Sequence, residues 1–257
     1  WKMNKIKTVF ENRLRRCVAR WGFELYRSVP IPTECVYRER AEFGPSNLQI
    51  KLDRAKQGRP FENPDIRALN QVVCSLLESE KRIVELGAGT GMFAQMASED
   101  PGRFILASEF DRPTWQWCMD HLPSRDNVRF VNGHCTPEDG PFELVVAIEV
   151  IEHIADYRSF LETCAGLAPR ALLTTPNRRR EARVFHSGPP PYPEHVREWT
   201  AGEFYWVLRC FWEEVRLFGM PDAFKAQCVP IDVDATASPL IADCRRPRTA
   251  VGRPGRG

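Results

Sequence analysis

Two hydrophobic rhythms alternate between Asp65 and Cys244. Short apolar runs of strand length are separated by segments in which apolar side chains return every three or four residues, the spacing of a helix face. The runs predict strands at Arg82 to Leu86, Phe104 to Ser108, Val128 to Asn132, Leu144 to Ile148 and Ala171 to Thr175, with two more at Glu214 to Phe218 and Leu240 to Cys244. The intervening periodicity predicts helices at Met92 to Ser98, Pro113 to His121 and Tyr157 to Leu167. Another helix over Asp65 to Leu77 precedes the first strand. A further one runs from Ala201 to Cys210, where Thr200 and Glu203 stand at capping-box spacing. Alternation of this kind calls for an α/β fold whose parallel strands are joined by crossover helices.

The flanks follow other patterns. Phe10, Leu14, Cys17, Val18 and Trp21 share one helical face beside Arg13, Arg15, Arg16 and Arg20, which predicts a short basic amphipathic helix. Such a helix either packs on the main domain or makes a peripheral contact with a membrane surface or an acidic partner. Pro30, Pro32, Gly44, Pro45, Gly58 and Pro60 then punctuate an irregular connector. Residues 1–64 are thus read as an extension and 65–247 as the catalytic domain. From Arg245 the chain turns to Arg, Pro and Gly, and 248–257 is expected to be a disordered basic tail.

Composition narrows the classes. With 257 residues, 43% hydrophobic and 27% charged, the chain suits one globular domain with extensions. No run approaches the roughly 20 apolar residues of a membrane span, and no signal-peptide pattern opens the chain, so a cytoplasmic location is expected. The nine cysteines are dispersed without a Cys-x-x-Cys pair and are read as reduced, mostly buried thiols. A net charge of +2 does not advertise a nucleic-acid binder; basic residues gather at the ends and at Arg178 to Arg180.

The first predicted strand runs into Gly87-Ala88-Gly89-Thr90-Gly91, a turn bare enough to bring main chain against a nucleotide. A nicotinamide dinucleotide fingerprint requires its third glycine where this chain has Met92, which argues against an oxidoreductase. Gly-x-Gly-x-Gly after an acidic-apolar strand instead resembles the S-adenosylmethionine loop of class I methyltransferases. Two later segments extend the likeness. Ile148-Glu149-Val150-Ile151-Glu152-His153-Ile154 and Thr174-Thr175-Pro176-Asn177 resemble the ubiquinone-biosynthesis type of O-methyltransferase and its relatives acting on small molecules and glycans.

This resemblance implies a Rossmann-like seven-stranded sheet with helices on both faces, its last strand inserted antiparallel, together with the N-terminal helical extension. It implies S-adenosylmethionine as cofactor, held by Glu85, Gly87, Ala88, Gly89, Gly91, Glu109, Phe110, His134, Cys135 and Glu149. Glu109 would accept from both ribose hydroxyls while Asp111 caps the next helix, and Phe110 would lie on the adenine. His134 stands where the family usually has aspartate.

For a hydroxyl acceptor, His153 and His195 are the candidate bases, since a neutral imidazole can take the proton. No metal is assigned. Glu149, Glu152, His153 and His195 nevertheless resemble the ligand set of metal-dependent small-RNA 2′-O-methyltransferases, which keeps that alternative open. A non-catalytic scaffold that retained the fold is the third reading. The arginines from Arg178 to Arg183 and the proline-rich run from Pro189 to Pro193 are read as a surface insert at the acceptor mouth, and Trp199, Phe204, Tyr205 and Trp206 as packing.

Overall fold

The computed structural model describes residues 47–57, 61, 63–181, 190, 192–222 and 225–248. The predicted basic helix at Phe10 to Trp21, most of the proline-rich insert and the tail beyond Arg248 lie outside these residues.

Two helices, α1 (Asn47–Lys56) and α2 (Pro64–Ser75), precede the sheet. Strands β1 (Arg82–Leu86), β2 (Phe104–Glu109), β3 (Val128–Asn132), β4 (Leu144–Ala147) and β5 (Arg170–Thr175) then alternate with α3 (Met92–Ala97), α4 (Arg112–His121) and α5 (Tyr157–Leu167). After α6 (Arg178–Glu181) and α7 (Ala201–Arg209) come β6 (Trp212–Gly219), β7 (Val229–Pro230) and β8 (Leu240–Pro247). The order across the sheet is β3-β2-β1-β4-β5-β8-β6-β7. Strands β1 to β5 are parallel, while β8 lies antiparallel between β5 and β6, as expected of the last strand. The seven expected strands are joined by an eighth, β7, a two-residue edge pairing that its exposed, polar surroundings conceal in the sequence.

Alternation along each strand sorts the core into two layers. Ile83, Ile105, Leu144, Val146 and Leu172 face α2 and α3, where they meet Leu69, Val73 and Phe93. Their neighbours Val84, Leu106, Val145, Ala171 and Leu173 face the other way, onto Leu161 and Cys164 of α5 and Phe204 and Leu208 of α7. Trp199 and Phe204 are fully buried, so they are core side chains, as read from the sequence.

Three expectations are corrected. Asn47–Lys56 is helical where an irregular connector was read. Arg178–Glu181 is a helical turn, and Arg178 is buried with both carboxylate oxygens of Glu203 on its Nη2 at 2.8 and 2.9 Å, not a solvated charge. The apparent tail from Arg245 completes β8 through Pro247. None of the described cysteines is in a disulfide, and Cys118, Cys135, Cys164 and Cys244 are buried while Cys210 is exposed.

Because the chain leaves β1 toward β2 and β3 and then returns to the other side of β1 for β4, the sheet has its switch point between β1 and β4. That point, at the carboxyl ends of the strands, is where open α/β sheets bind ligands. The glycine turn, the end of β2 and the Glu149 corner all lie at that edge.

Candidate functional site

The glycine turn is built by the neighbouring strand. Gly87 and Ala88 both donate N–H bonds to the Ser108 carbonyl at 2.9 Å, and Gly91 closes the bend on the Ala88 carbonyl at 2.8 Å. Gly87, Gly89 and Gly91 take φ of 75°, 54° and 73°, a left-handed region that side chains resist. Their surroundings differ. A Cβ on Gly87 would stand 2.7 Å from Val150 Cγ2, and one on Gly91 would stand 2.6 Å from Leu122 Cδ1. One on Gly89 would meet nothing within 4 Å, so this bend turns bare main chain toward open space.

Glu109 is tied to that bend. Its Oε2 accepts the Gly89 N–H and its Oε1 the Asp111 N–H, each at 2.7 Å, so the carboxylate is aimed before any ligand arrives. Burial raises its pKa, with the two N–H bonds partly offsetting the rise. Asp111 does the other job proposed for an acid here: its side chain accepts the Thr114 N–H at 3.1 Å and caps α4. Glu85 is buried, and its Oε2 lacks a hydrogen-bond partner. Burial, followed by the nearby Glu109 charge, pushes its pKa well above the usual carboxylate range.

Farther along the edge, exposed Phe110 lies 5.4 Å from the His134 ring, centroid to centroid. Gly133, with φ of 127°, would also meet nothing with an added Cβ. The Ser108 hydroxyl donates to the Gly133 carbonyl, which ties this turn to β2. Cys135 is buried beneath it. Glu149 also has positive φ, 55°, and is held in that corner by Thr174: the Thr174 hydroxyl accepts the Glu149 N–H at 3.0 Å and donates to Glu149 Oε1 at 2.9 Å.

A second cluster follows. The rings of His153 and His195 meet edge to face with centroids 4.8 Å apart, although 42 positions separate them in sequence. The Val196 and Arg197 N–H groups both bond the Glu152 carbonyl, at 2.7 and 3.1 Å, which docks the later loop on the earlier corner. His153 Nδ1 lies 3.0 Å from the Glu194 carbonyl, and burial lowers its pKa, favouring the neutral ring. His195 Nδ1 lies 2.7 Å from Oε1 of buried Glu198.

Glu152 is buried as well; its Oε2 accepts the Thr175 hydroxyl at 3.1 Å, and its Oε1 has no hydrogen-bond partner. Burial, and after it the Glu149 charge, raises its pKa well above the usual range. Ligand atoms of Glu152, His153 and His195 lie within 4.8 Å of one another, a set able to hold a divalent cation. The Glu149 carboxylate is outside that set.

A family model described as a methyltransferase domain matches residues 63–211, more than half of the chain and all of the glycine turn, the Glu149 corner and the two histidines. The chain belongs to this methyltransferase family. A curated relative from Mycolicibacterium smegmatis, named a probable S-adenosylmethionine-dependent methyltransferase, is 30% identical over 173 residues; the match covers 64% of this chain and 65% of that protein's length. Two solved structures show the same fold. The plantazolicin methyltransferase BpumL in complex with SAH superposes with a TM-score of 0.56 at 12% identity, over 78% of this chain and 90% of that one. The methyltransferase domain of a bacterial CtHen1 superposes with 0.54 at 17% identity, over 70% and 98%.

In this member of the family, the residues singled out by sequence fall in two groups along one edge: Glu85, the glycines, Glu109, Phe110 and His134 on the β1–β3 side, and Glu149, His153 and His195 on the β4 side. Sequence reasoning missed Thr174 as the brace of Glu149 and Glu198 as the brace of His195. Glu198 stands three places after His195, a spacing that invited the pairing. Among the described residues no helix is long and apolar enough to cross a membrane.

Proposed function

We propose that this protein methylates a hydroxyl oxygen of a small-molecule, lipid-linked or glycan acceptor. The methyl donor is S-adenosylmethionine. Its ribose hydroxyls would bond Glu109, its ammonium would approach Glu85 and its adenine would lie toward Phe110 and His134. The acceptor oxygen would attack the methyl carbon as the carbon–sulfur bond breaks, releasing S-adenosylhomocysteine, while the hydroxyl proton passes to an imidazole. Holding the three atoms in line supplies much of the acceleration.

The observation that supports this acceptor chemistry is the His153–His195 contact beside the Glu149 corner, with His195 braced by a buried carboxylate and His153 biased toward its neutral form. Replacing His195 by Asn should lower the rate constant for methyl transfer about a hundredfold while leaving S-adenosylhomocysteine affinity unchanged. Isotope-labelled methyl transfer into extract, with the product then treated with nuclease or glycosidase, identifies the acceptor. Full activity in that variant would remove His195 from the reaction.

A second reading is favoured by one feature, the unpartnered and buried Glu152 Oε1 facing two imidazoles. Glu152, His153 and His195 would then hold a divalent cation that binds the acceptor oxygen, as in metal-dependent RNA 2′-O-methylation. Activity that survives chelation and labels a nuclease-resistant product supports the first reading; activity lost to chelator and restored by manganese supports the second.

Donor binding should depend on pH. Glu85 and Glu109 both have raised carboxyl pKa values, chiefly through burial, so each holds its proton to higher pH than a solvated carboxyl. An ammonium arriving at Glu85 and ribose hydroxyls donating to Glu109 favour the charged forms, and binding therefore releases protons. Affinity for S-adenosylhomocysteine should rise as pH increases from about 5 toward 8, and calorimetry in buffers of different ionisation enthalpy should register the proton release. An affinity that is flat or falls over this range would show that these carboxyls do not receive the donor's ammonium and ribose hydroxyls.

A further inference from the structure

Tyr192 carries a large ring that is 48% exposed, yet the chain around it is fixed. Its carbonyl accepts the His195 N–H at 3.1 Å, closing the turn Tyr192-Pro193-Glu194-His195 with proline at the second place, where its restricted φ suits a turn. The turn is itself docked. His153 Nδ1 lies 3.0 Å from the Glu194 carbonyl, and the Val196 and Arg197 N–H groups bond the Glu152 carbonyl. The Tyr192 ring consequently stands 5.0 Å from the His195 ring, inclined at 49°, and the His195 ring stands 4.8 Å from that of His153. The three rings run in series from exposed Tyr192 to the corner that carries Glu152 and His153.

A single exposed aromatic side chain calls for no explanation by itself. Tyr192 differs, because a turn sets its ring against an imidazole assigned to the acceptor hydroxyl. Aromatic faces attract other rings at centroid separations of about 4.5–7 Å, and a base takes a proton across about 2.6–3.2 Å. A ring seated on Tyr192 is therefore close enough to His195 to bring one of its own hydroxyls within reach. An open chain gains less from a flat face, which would leave its hydroxyl unoriented. We propose that Tyr192 is the acceptor platform of this site and that the acceptor is ring-bearing, its methylated hydroxyl attached to a pyranose or an arene and not to an open chain. Because the turn presets the tyrosine, little ordering cost is left to acceptor binding. The proposal rests on the reading of this protein as a hydroxyl methyltransferase and narrows the acceptor classes named there.

The test uses the full chain, isotope-labelled S-adenosylmethionine and serial dilutions of the small-molecule fraction of a cell extract. Tyr192→Ala should raise the extract concentration giving half-maximal labelling about tenfold and lower the saturating rate less than about threefold, because the ring captures acceptor and does not touch the donor. Tyr192→Phe keeps the ring without its hydroxyl and should restore half-saturation close to the wild-type value. Tyr192→Leu keeps apolar area without a flat face and should resemble Tyr192→Ala; it carries the same comparison if the alanine variant fails to fold. Mass spectrometry of the labelled product should place the methyl group on a ring-borne oxygen. Tyr192→Leu equal to wild type, Tyr192→Phe as poor as Tyr192→Ala, or a methyl group on an open-chain oxygen would each overturn the proposal. Unchanged half-saturation in Tyr192→Ala would overturn it too, while leaving hydroxyl methylation standing. A wild-type protein that labels no hydroxyl would remove that reading as well.

Discussion

Gly89→Arg is expected to cost at least about a hundredfold in affinity for S-adenosylhomocysteine, with a melting temperature only slightly lowered. The expectation comes from the contrast among three glycines of one turn. All have left-handed φ, so any side chain there carries a strain of about 1–2 kcal/mol. At Gly91 an added Cβ would also press on Leu122 and on the Phe130 ring at 2.6 and 2.8 Å, inside the packed layer. At Gly89 it would meet nothing, so the arginine side chain would extend into the space proposed for the donor. The main-chain N–H to Glu109 survives the change. Gly91→Ala is therefore the instructive control: it should lower stability more than Gly89→Arg does, yet reduce donor affinity less in the protein that remains folded. Calorimetry and thermal melts on the two variants separate the cases, and donor affinity retained in Gly89→Arg would end the assignment of this turn to the cofactor.

What the sequence disclosed, and what it withheld, divides along one physical line. Buried parallel strands announce themselves because both faces are covered and nearly every side chain must be apolar; Leu144-Val145-Val146-Ala147 is wholly buried and was legible. The glycine turn was legible because three glycines at that spacing answer a demand for positive φ that other residues resist. Asp111 could be assigned its cap because Arg112 and Pro113 mark a helix start beside it. Charged residues whose partners are remote in sequence were misread. Arg170 was left out of β5 and Arg245 was assigned to the tail because local composition describes each as solvated. Their carboxylate partners lie up to 167 positions away. The site was legible in its residue types: His153 and His195 were singled out as candidate bases and as a resemblance to one ligand set, whereas their contact and the Thr174 and Glu198 braces depend on how β5 and the later loop dock.

Removing Arg170 should be the most damaging single change far from the cleft. Its Nε donates to Asp243 Oδ1 at 2.8 Å, its Nη1 to Glu80 and its Nη2 to the Leu76 carbonyl at 2.9 Å, and the Arg170, Glu80 and Asp243 side chains are 8%, 10% and 6% exposed. One guanidinium thus joins β5, β8 and the end of α2. Burial alone would raise the Asp243 pKa, but the bonds from Arg170 and Arg245 outweigh it and hold the carboxyl below its ordinary value. Arg170→Met fits a similar volume yet leaves buried Glu80 without its cation and Asp243 with Arg245 alone, and breaking such a buried pair costs about 3–5 kcal/mol. That is a large share of the stability of one domain.

Urea unfolding of the unliganded protein at neutral pH should show the loss, and Arg170→Met combined with Asp243→Asn should recover part of it by removing the Asp243 charge. The pH dependence carries the sign. A carboxyl with depressed folded pKa contributes stability above its unfolded pKa and loses it as pH falls through the folded value. The wild-type protein should therefore lose the Asp243 contribution on acidification, whereas Arg170→Met should show a weaker acid dependence from this cluster. Donor affinity, measured where the variant is still folded, should stay near wild type, because Arg170 opens β5 at the edge of the sheet opposite the glycine turn. A loss below about 1 kcal/mol would show that the buried charges stabilise the fold no more than the methionine does.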